Sequence, residues 1–366
     1  MHIAIDARVI NSGTGTYVAK LLKYLQEIDT ANTYTVLVRE KDKDYWRPTA
    51  LNFSVAVAEF DNYSIAEQIG YKRFLEALKP DLVHFCMPQQ PVLYKGKNVT
   101  TMHDMTLLNT YNSDKNWVVF HIKQFIGGFV WKHIARSSEH VIAISQNTKR
   151  EYQEFSHIPD SKISVIYEAG EANPGETDPY SALPFESFVM YVGQQPDYKN
   201  IRRLMRAHQH LLETHPNLGL VLVGRMNPDT IANKEYAEAH GFKNIHFTGF
   251  IPDNQRDWLY TKTAAYVFPS LMEGFGLPPL EAMAYNVPVV SSSASCMPEV
   301  LGDAAEYFDP TDEIAMAHAI AEVIDDPTLR AQMIKRGASQ VAKYSWRTMA
   351  EQTHQVYMNA LKNTGV

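Results

Sequence analysis

The chain has 366 residues, 45% of them hydrophobic and 20% charged, with a net charge of −7 and a pI near 6.1. That length suits two domains of about 150–200 residues better than one. The acidic balance argues against a surface that holds nucleic acid by phosphate attraction, so no nucleic-acid partner is expected.

The N-terminal stretch MHIAIDARVI has Asp6 inside its apolar run and no basic leader, so it reads as a first strand rather than a signal peptide. No run of eighteen apolar residues follows anywhere. The two cysteines, Cys86 and Cys296, lie far apart and show no metal-type spacing. Both read as free thiols in a reducing compartment, and a cytoplasmic protein is expected.

Short, β-branched apolar runs predict strands near 1–5, 34–39, 52–57, 82–86, 97–102, 140–144 and 163–167. Helical periodicity lies between them near 15–28, 64–78, 117–135 and 145–155, with Ser145 placed to cap the last. The loop NSGTGTYV after the first strand carries Gly13 and Gly15. A dinucleotide fingerprint would need a third glycine near Val18, and its absence counts against a dehydrogenase. Asp42 and Asp44 spell D-x-D, but in the charged run REKDKD they read as a solvated loop, not a metal site.

The helix in NWVVFHIKQFIGGFVWKHIAR sets Val118, Ile122, Phe125, Phe129 and Trp131 near Lys123, Lys132 and Arg136. Packing on its own sheet is the commoner role of such a helix. The other reading is a membrane-surface helix, which would put the protein at the inner face of a membrane and bring a lipid-linked acceptor within reach.

Gly, Pro and acid dominate 168–187, where apolar periodicity disappears, and a linker is assigned to 171–187. Alternation restarts with strands at 188–193, 218–224, 244–249, 264–270 and 287–292, a helix over 199–214, and helices near 312–325, 327–343 and 345–363. His208 and His210 would point apart on a helix, so no metal is expected there either. Repeated βα units predict two doubly wound parallel-sheet domains, 1–170 and 188–344, with the final helix (345–366) standing apart. Ligands should bind at the carboxyl ends of the strands, in a central cleft that the domains face.

The segment MEGFGLPPLEAMAYNVPVV puts Glu273 in the loop after one of these strands and Glu281 in the helix that follows. Prolines 278 and 279 suit a first helical turn, and Asn286 suits a left-handed residue after its end. Gly274 and Gly276 let backbone approach a ligand. A helix N-terminus favours anions. Lys199 opens another predicted helix, where a cation is disfavoured unless an anion lies nearby. His103 and Asp104 follow a strand end, where a histidine tilts toward function.

The stretch FPSLMEGFGLPPLEAMAYNVPVVSSSASCMPEV resembles the E-x7-E signature of retaining family-4 glycosyltransferases, which have the GT-B fold of two Rossmann-like domains. YVGQQPDYKN is similar to that family's phosphate-binding lysine segment, TMHDMTLL to its N-domain histidine, and YSWRTMAEQTHQVY to its closing helix, which crosses back to the first domain. The resemblance implies a metal-independent, cofactor-free transfer of a hexose from a GDP- or UDP-sugar, with mannose or glucose as cargo, to a glycan or lipid-linked acceptor in surface-polysaccharide synthesis. It implies catalytic roles for His103, Glu273 and Lys199. It implies donor contacts at Gly13, Gly15, Gly193, Lys199, Gly224, Arg225, Phe250, Ile251, Glu273, Gly274, Phe275, Gly276, Leu277 and Glu281. Family members often carry an arginine beside the phosphate lysine; here Gln194, Gln195 and Tyr198 stand there, leaving Arg202, Arg203 and Arg225 as candidates to supply that charge. A nucleotide-sugar epimerase of the same fold and a non-catalytic nucleotide-sugar-binding protein are the alternatives.

Overall fold

The computed structural model describes residues 1–109, 117–173 and 175–362, without the side chains at 107, 109, 117–120, 122 and 123. The chain divides into two units. The first comprises Met1–Asn109, Val118–Glu168 and Ser345–Val366; the second comprises Thr110–Trp117 and Ala169–Tyr344.

The first unit runs β1 (His2–Asp6), α1 (Gly15–Ile28), β2 (Thr33–Val38), β3 (Phe53–Val57), α2 (Lys72–Leu78), β4 (Leu82–Phe85), β5 (Asn98–Met102), α3 (Thr106–Asn109), α4 (Trp117–Ser137), β6 (His140–Ala143), α5 (Gln146–Ser156) and β7 (Ile163–Val165). Its sheet has the order β3-β2-β1-β4-β5-β6-β7, with every pair parallel. Strands β1, β4 and β5 are buried almost throughout, which is why they read as unbroken apolar runs. Ser145 Oγ accepts from the Thr148 N–H at 3.0 Å, so the expected cap of α5 is present.

The second unit runs β8 (Phe188–Val192), α6 (Ile201–Leu211), β9 (Gly219–Val223), α7 (Pro228–Ala239), β10 (Ile245–Gly249), α8 (Asp253–Lys262), β11 (Ala265–Phe268), α9 (Leu277–Ala284), β12 (Val289–Ser292), α10 (Met297–Leu301), β13 (Ala305–Phe308), α11 (Glu313–Asp325) and α12 (Pro327–Val341). Its sheet has the order β10-β9-β8-β11-β12-β13, again all parallel. The chain then returns to the first unit as α13 (Trp346–Lys362). There Ala350, Thr353 and Tyr357 are fully buried, and Arg347 and His354 pair with Glu27 and Asp29 at 2.9 Å each.

In each sheet the strand order reverses beside the first strand, between β1 and β4 and between β8 and β11. Those two switch points are where open α/β sheets bind ligands.

Several expectations need correction. Strand β13 was not anticipated. Lys199 does not open a helix: it ends a tight turn, Asp197–Lys199, and α6 begins two residues later. Glu281 lies about one turn into α9. Asp42 is not solvated; it is buried and accepts from Asn11 Nδ2 at 3.1 Å. Trp131 faces the core, not the outer side of α4, while Val118, Ile122 and Lys123 have side chains outside the described ones. Among the described residues no helix is long and apolar enough to cross a membrane, and no cluster of His, Cys, Asp and Glu could hold a metal.

Candidate active site

The second unit's switch point is built from the turn after β8 and the loop after β11. Asn200 adopts a left-handed conformation (φ 63°), a region asparagine tolerates better than most residues. Its side-chain amide donates to the Pro269 and Pro310 carbonyls at 3.0 and 2.8 Å. The Leu271 N–H donates to the Tyr198 carbonyl at 2.8 Å. These bonds stitch the lysine turn to the end of β11.

Lys199 Nζ then donates to Glu273 Oε1 at 2.5 Å, with the side chains 16% and 12% exposed. The ammonium also lies 5.3 Å from the Tyr198 ring centre and 5.5 Å from that of Phe268. Burial disfavours the ammonium, but Glu273 overrides it, and the Lys199 pKa is raised. Glu273 itself is clamped by backbone contacts: its N–H donates to Ser295 Oγ, while Ser295 Oγ and Cys296 Sγ donate to its carbonyl.

Around this pair the predicted residues fall at neighbouring strand ends. Gly193 (φ 140°) donates its N–H to the Val223 carbonyl at 2.9 Å. A Cβ on Gly224 would stand 2.4 Å from the Gly193 carbonyl oxygen, so these two strand ends touch backbone to backbone. The Arg225 guanidinium lies over the Phe250 ring at 5.3 Å, and that ring is exposed; half-buried Ile251 follows it. Gly274, Phe275 and Gly276 are buried, with Gly276 at φ 86° directly before Leu277 opens α9. Glu281 is half-buried on α9; burial first, and then its charge among other causes, raises the hydroxyl of Tyr260. Gly170 packs so close to this helix that a Cβ would meet the Glu281 nitrogen at 2.8 Å.

Of the three arginines that could replace the absent phosphate-site arginine, two are committed within the unit. Arg202 donates to Asn233 Oδ1 at 3.0 Å, and Arg203 donates to Asn200 Oδ1 and the Pro310 carbonyl at 2.7 and 3.1 Å. Arg225 rests on Phe250 and is exposed. Gln195 Nε2 and Ser270 Oγ, beside the ends of β8 and β11, are buried without a hydrogen-bond partner.

The first unit holds a second polar centre beside its own switch point, at the ends of β4 and β5. His103 is buried, with Nε2 2.9 Å from the Cys86 carbonyl and Nδ1 3.4 Å from Glu168 Oε1. A carbonyl can only accept, so Nε2 carries a proton there. Burial opposes a charged ring, but the Glu168 carboxylate outweighs it, and the His103 pKa is raised. Asp104 does not orient the imidazole; it accepts from the Thr106 N–H at 2.8 Å and caps a turn. Glu168 takes that place, a residue that composition assigned to an acid-rich junction. Tyr17 sits edge-on to the His103 ring at 4.9 Å. From Tyr17 a buried chain continues through Thr101 and His84 to Tyr357 of α13, in steps of 2.9, 2.8 and 2.5 Å.

Arg8, after β1, donates to Asp6 at 2.8 Å and to Glu67 at 3.0 Å and lies 4.1 Å over the Tyr71 ring, all buried. Gly15 stands where a Cβ would meet the Ile10 carbonyl at 2.0 Å, whereas Gly13 faces open space. The structure thus gathers Lys199, Glu273, Glu281 and the glycine strand ends in one unit, and His103, Gly13 and Gly15 in the other.

Two doubly wound parallel-sheet units of this kind define the GT-B class of fold. Residues 11–169 match the family described as Glycosyltransferase Family 4, and residues 183–340 match Glycosyl transferases group 1. The chain belongs to this glycosyltransferase family. It is 30% identical over 231 residues to O-antigen chain mannosyltransferase B of Escherichia coli, an alignment covering 60% of this chain and 61% of that protein. It is 28% identical over 223 residues to O-antigen chain mannosyltransferase RfbU of Salmonella typhimurium (strain LT2), covering 61% and 60%. The matches therefore span about three fifths of these relatives' lengths. A crystal structure of Anabaena Alr3699/HepE in complex with UDP-glucose has a TM-score of 0.76 at 16% identity, covering 98% of this chain and all of the other.

Proposed function

We propose that the protein is a retaining glycosyltransferase that moves a hexose, mannose or glucose, from a GDP- or UDP-sugar to a glycan or lipid-linked acceptor in surface-polysaccharide synthesis. The observation that carries this reading is the Lys199–Glu273 pair at the second unit's switch point, 2.5 Å apart and nearly enclosed. A nucleotide-sugar needs a cation for its diphosphate and an acceptor group for its sugar hydroxyls, and here the two stand side by side. The mannosyltransferase relatives support the sugar class.

In this reading Lys199, the backbone N–H groups of 274–276 and the Gly15 loop meet the charge that develops on the departing diphosphate. Each such preorganised donor is typically worth about 2.7–4 kcal/mol of barrier. Glu273 holds the sugar hydroxyls, Glu281 the ribose, and Gly193, Gly224, Arg225, Phe250, Ile251 and Leu277 the rest of the donor. His103 contacts the transferred sugar near its reacting carbon. The C1–O bond to the diphosphate breaks, the acceptor oxygen bonds to C1 on the same face, and the acceptor's proton leaves with the diphosphate. The charge is met by protein groups, so no metal or cofactor is required; activity that survives chelator supports this, and activity lost on chelation and regained with a divalent cation overturns it.

A thermal-shift panel of UDP-, GDP- and ADP-sugars tests the donor class, since ligand at 100 times its Kd stabilises by about 2.7 kcal/mol. Glu281→Ala weakens every productive donor in that panel. Turnover of donor alone to an epimer would favour the epimerase reading, and binding without transfer or hydrolysis the non-catalytic one.

A further inference from the structure

The His103 ring is held at both nitrogens, by the Cys86 carbonyl at 2.9 Å and by Glu168 at 3.4 Å. Two such contacts leave one motion open, a tilt of the ring about the line joining its nitrogens. Tyr17 closes it. The two ring centres lie 4.9 Å apart with their planes at 84°, an edge contact of the kind aromatic rings favour. Tyr17 is the third residue of α1. The start of that helix is pinned, because even a Cβ on Gly15 would stand 2.0 Å from the Ile10 carbonyl oxygen.

Tyr17 is in turn set by α13. Its hydroxyl is 2.9 Å from Thr101 Oγ1, which is 2.8 Å from His84 Nε2, and His84 Nδ1 is 2.5 Å from the Tyr357 hydroxyl. All four side chains are buried. Burial, and then the charge of His103, push the His84 pKa down to about 3, so this ring is neutral, with one donor and one acceptor. The protons of the chain therefore point one way at a time, and loss of one hydroxyl leaves a buried neighbour unpaired. Burial first, and Cys86 after it, raise the Tyr17 pKa, while Thr101 and Thr353 pull it down. Thr353 lies one turn before Tyr357 on α13. The returning helix thus reaches the Tyr17 hydroxyl twice, at Thr353 and through His84.

We propose that Tyr17 is a positioning residue for His103, and that α13 sets it through Tyr357 and Thr353. The last helix then serves the site as well as the sheet it covers. For catalysis this rests on the reading that His103 meets the transferred sugar. Misplacing a reacting group by about 1 Å costs up to about 100-fold in rate. Loosening one edge contact costs less, about fivefold to tenfold.

The test compares the full chain with Tyr17→Phe, Tyr357→Phe and the double variant. Each change keeps the ring and removes one hydroxyl. The first readout is the NMR titration of the His103 ring in chain labelled with 13C-histidine, its signal assigned by its loss in His103→Gln. Glu168, Asp104, Cys86, Tyr17 and His84 face that ring. Each variant loosens the ring from Glu168 and lowers its pKa by about 0.5 or more. The second readout is release of UDP from UDP-glucose or of GDP from GDP-mannose. There kcat falls about fivefold to tenfold while KM stays within about twofold. The double variant is no worse than the weaker single one, since both cut one chain. Circular dichroism confirms that the variants remain folded. A His103 titration unmoved in both single variants overturns the proposal, even where they melt lower, because the chain is then only structural. So does a moved titration with unchanged kcat, or a double variant whose loss is the product of the two single losses. If the wild type releases nothing from either sugar, the transferase reading fails, and the His103 titration still decides the positioning.

Discussion

Replacing Glu273 by Gln probes the Lys199 pair directly. The substitution keeps the shape and an oxygen that accepts from Lys199 but removes the charge, leaving a nearly enclosed ammonium without its counter-ion, beside the Tyr198 and Phe268 rings 5.3 and 5.5 Å away. Those ring contacts exist already in the wild type, so they recover nothing. Orphaning one partner of a buried ion pair costs about 3–5 kcal/mol. With side chains 16% and 12% exposed the pair is not fully dry, so the low end applies, about 3 kcal/mol. For a unit of this size that lowers the transition by about 6–12 °C, which scanning calorimetry resolves. Replacing both partners, Lys199→Met with Glu273→Gln, returns most of the loss, because no charge is left unpaired. The single variant Glu273→Gln also binds UDP or GDP about tenfold tighter than the wild type, a gain of about 1.4 kcal/mol, since the diphosphate no longer has to draw Lys199 away from a carboxylate. A transition within about 2 °C of the wild type, with unchanged nucleoside-diphosphate affinity by calorimetric titration, refutes this reasoning.

The His103–Glu168 contact carries a pH signature. The histidine's folded pKa is raised, so its stabilisation is full below the ordinary value of about 6.5 and is lost as pH rises through the folded one; melting curves of wild type and Glu168→Gln converge on going alkaline. Arg8→Met leaves Asp6 and Glu67 buried without their shared cation and costs about 3–5 kcal/mol in urea denaturation. Glu67→Gln costs less, because burial already pushes that carboxyl's pKa up. Ser145→Ala removes the cap on the Thr148 N–H and costs about 1 kcal/mol by the same measurement.

Most of the strand framework is legible in the sequence because parallel strands buried on both faces leave short, β-branched runs with no polar alternation. Strand β13 escapes because AEYF is short and half-buried on the sheet edge, so its apolar pattern is broken. The glycine-rich turn and its two glutamates are also legible, since proline at a helix start and asparagine after its end are local signals; Asn286 has φ 60° as such a position requires. Partners distant in sequence are not. That Lys199 meets Glu273 rather than open solvent depends on Asn200 reaching two carbonyls far along the chain. Glu168 was hidden twice. It sits among acids and glycines that read as a junction, and it lies 65 residues beyond His103, whose neighbour in sequence is another acid, Asp104. Asp42 misled for a similar reason: a run of charges suggests water, and only the fold supplies Asn11 to its carboxylate.

The return of α13 to the first unit makes that unit discontinuous, and this bears on how the molecule is assembled. During synthesis the seven-stranded sheet emerges early, yet His84 and Asp29 wait for Tyr357 and His354, which follow both sheets in the chain. The six-stranded unit, by contrast, has all its strands and covering helices in hand by Tyr344. A fragment cut at Glu168 therefore bares the seat of that helix, and a workable dissection of the protein has to carry residues 345–362 along with the N-terminal half.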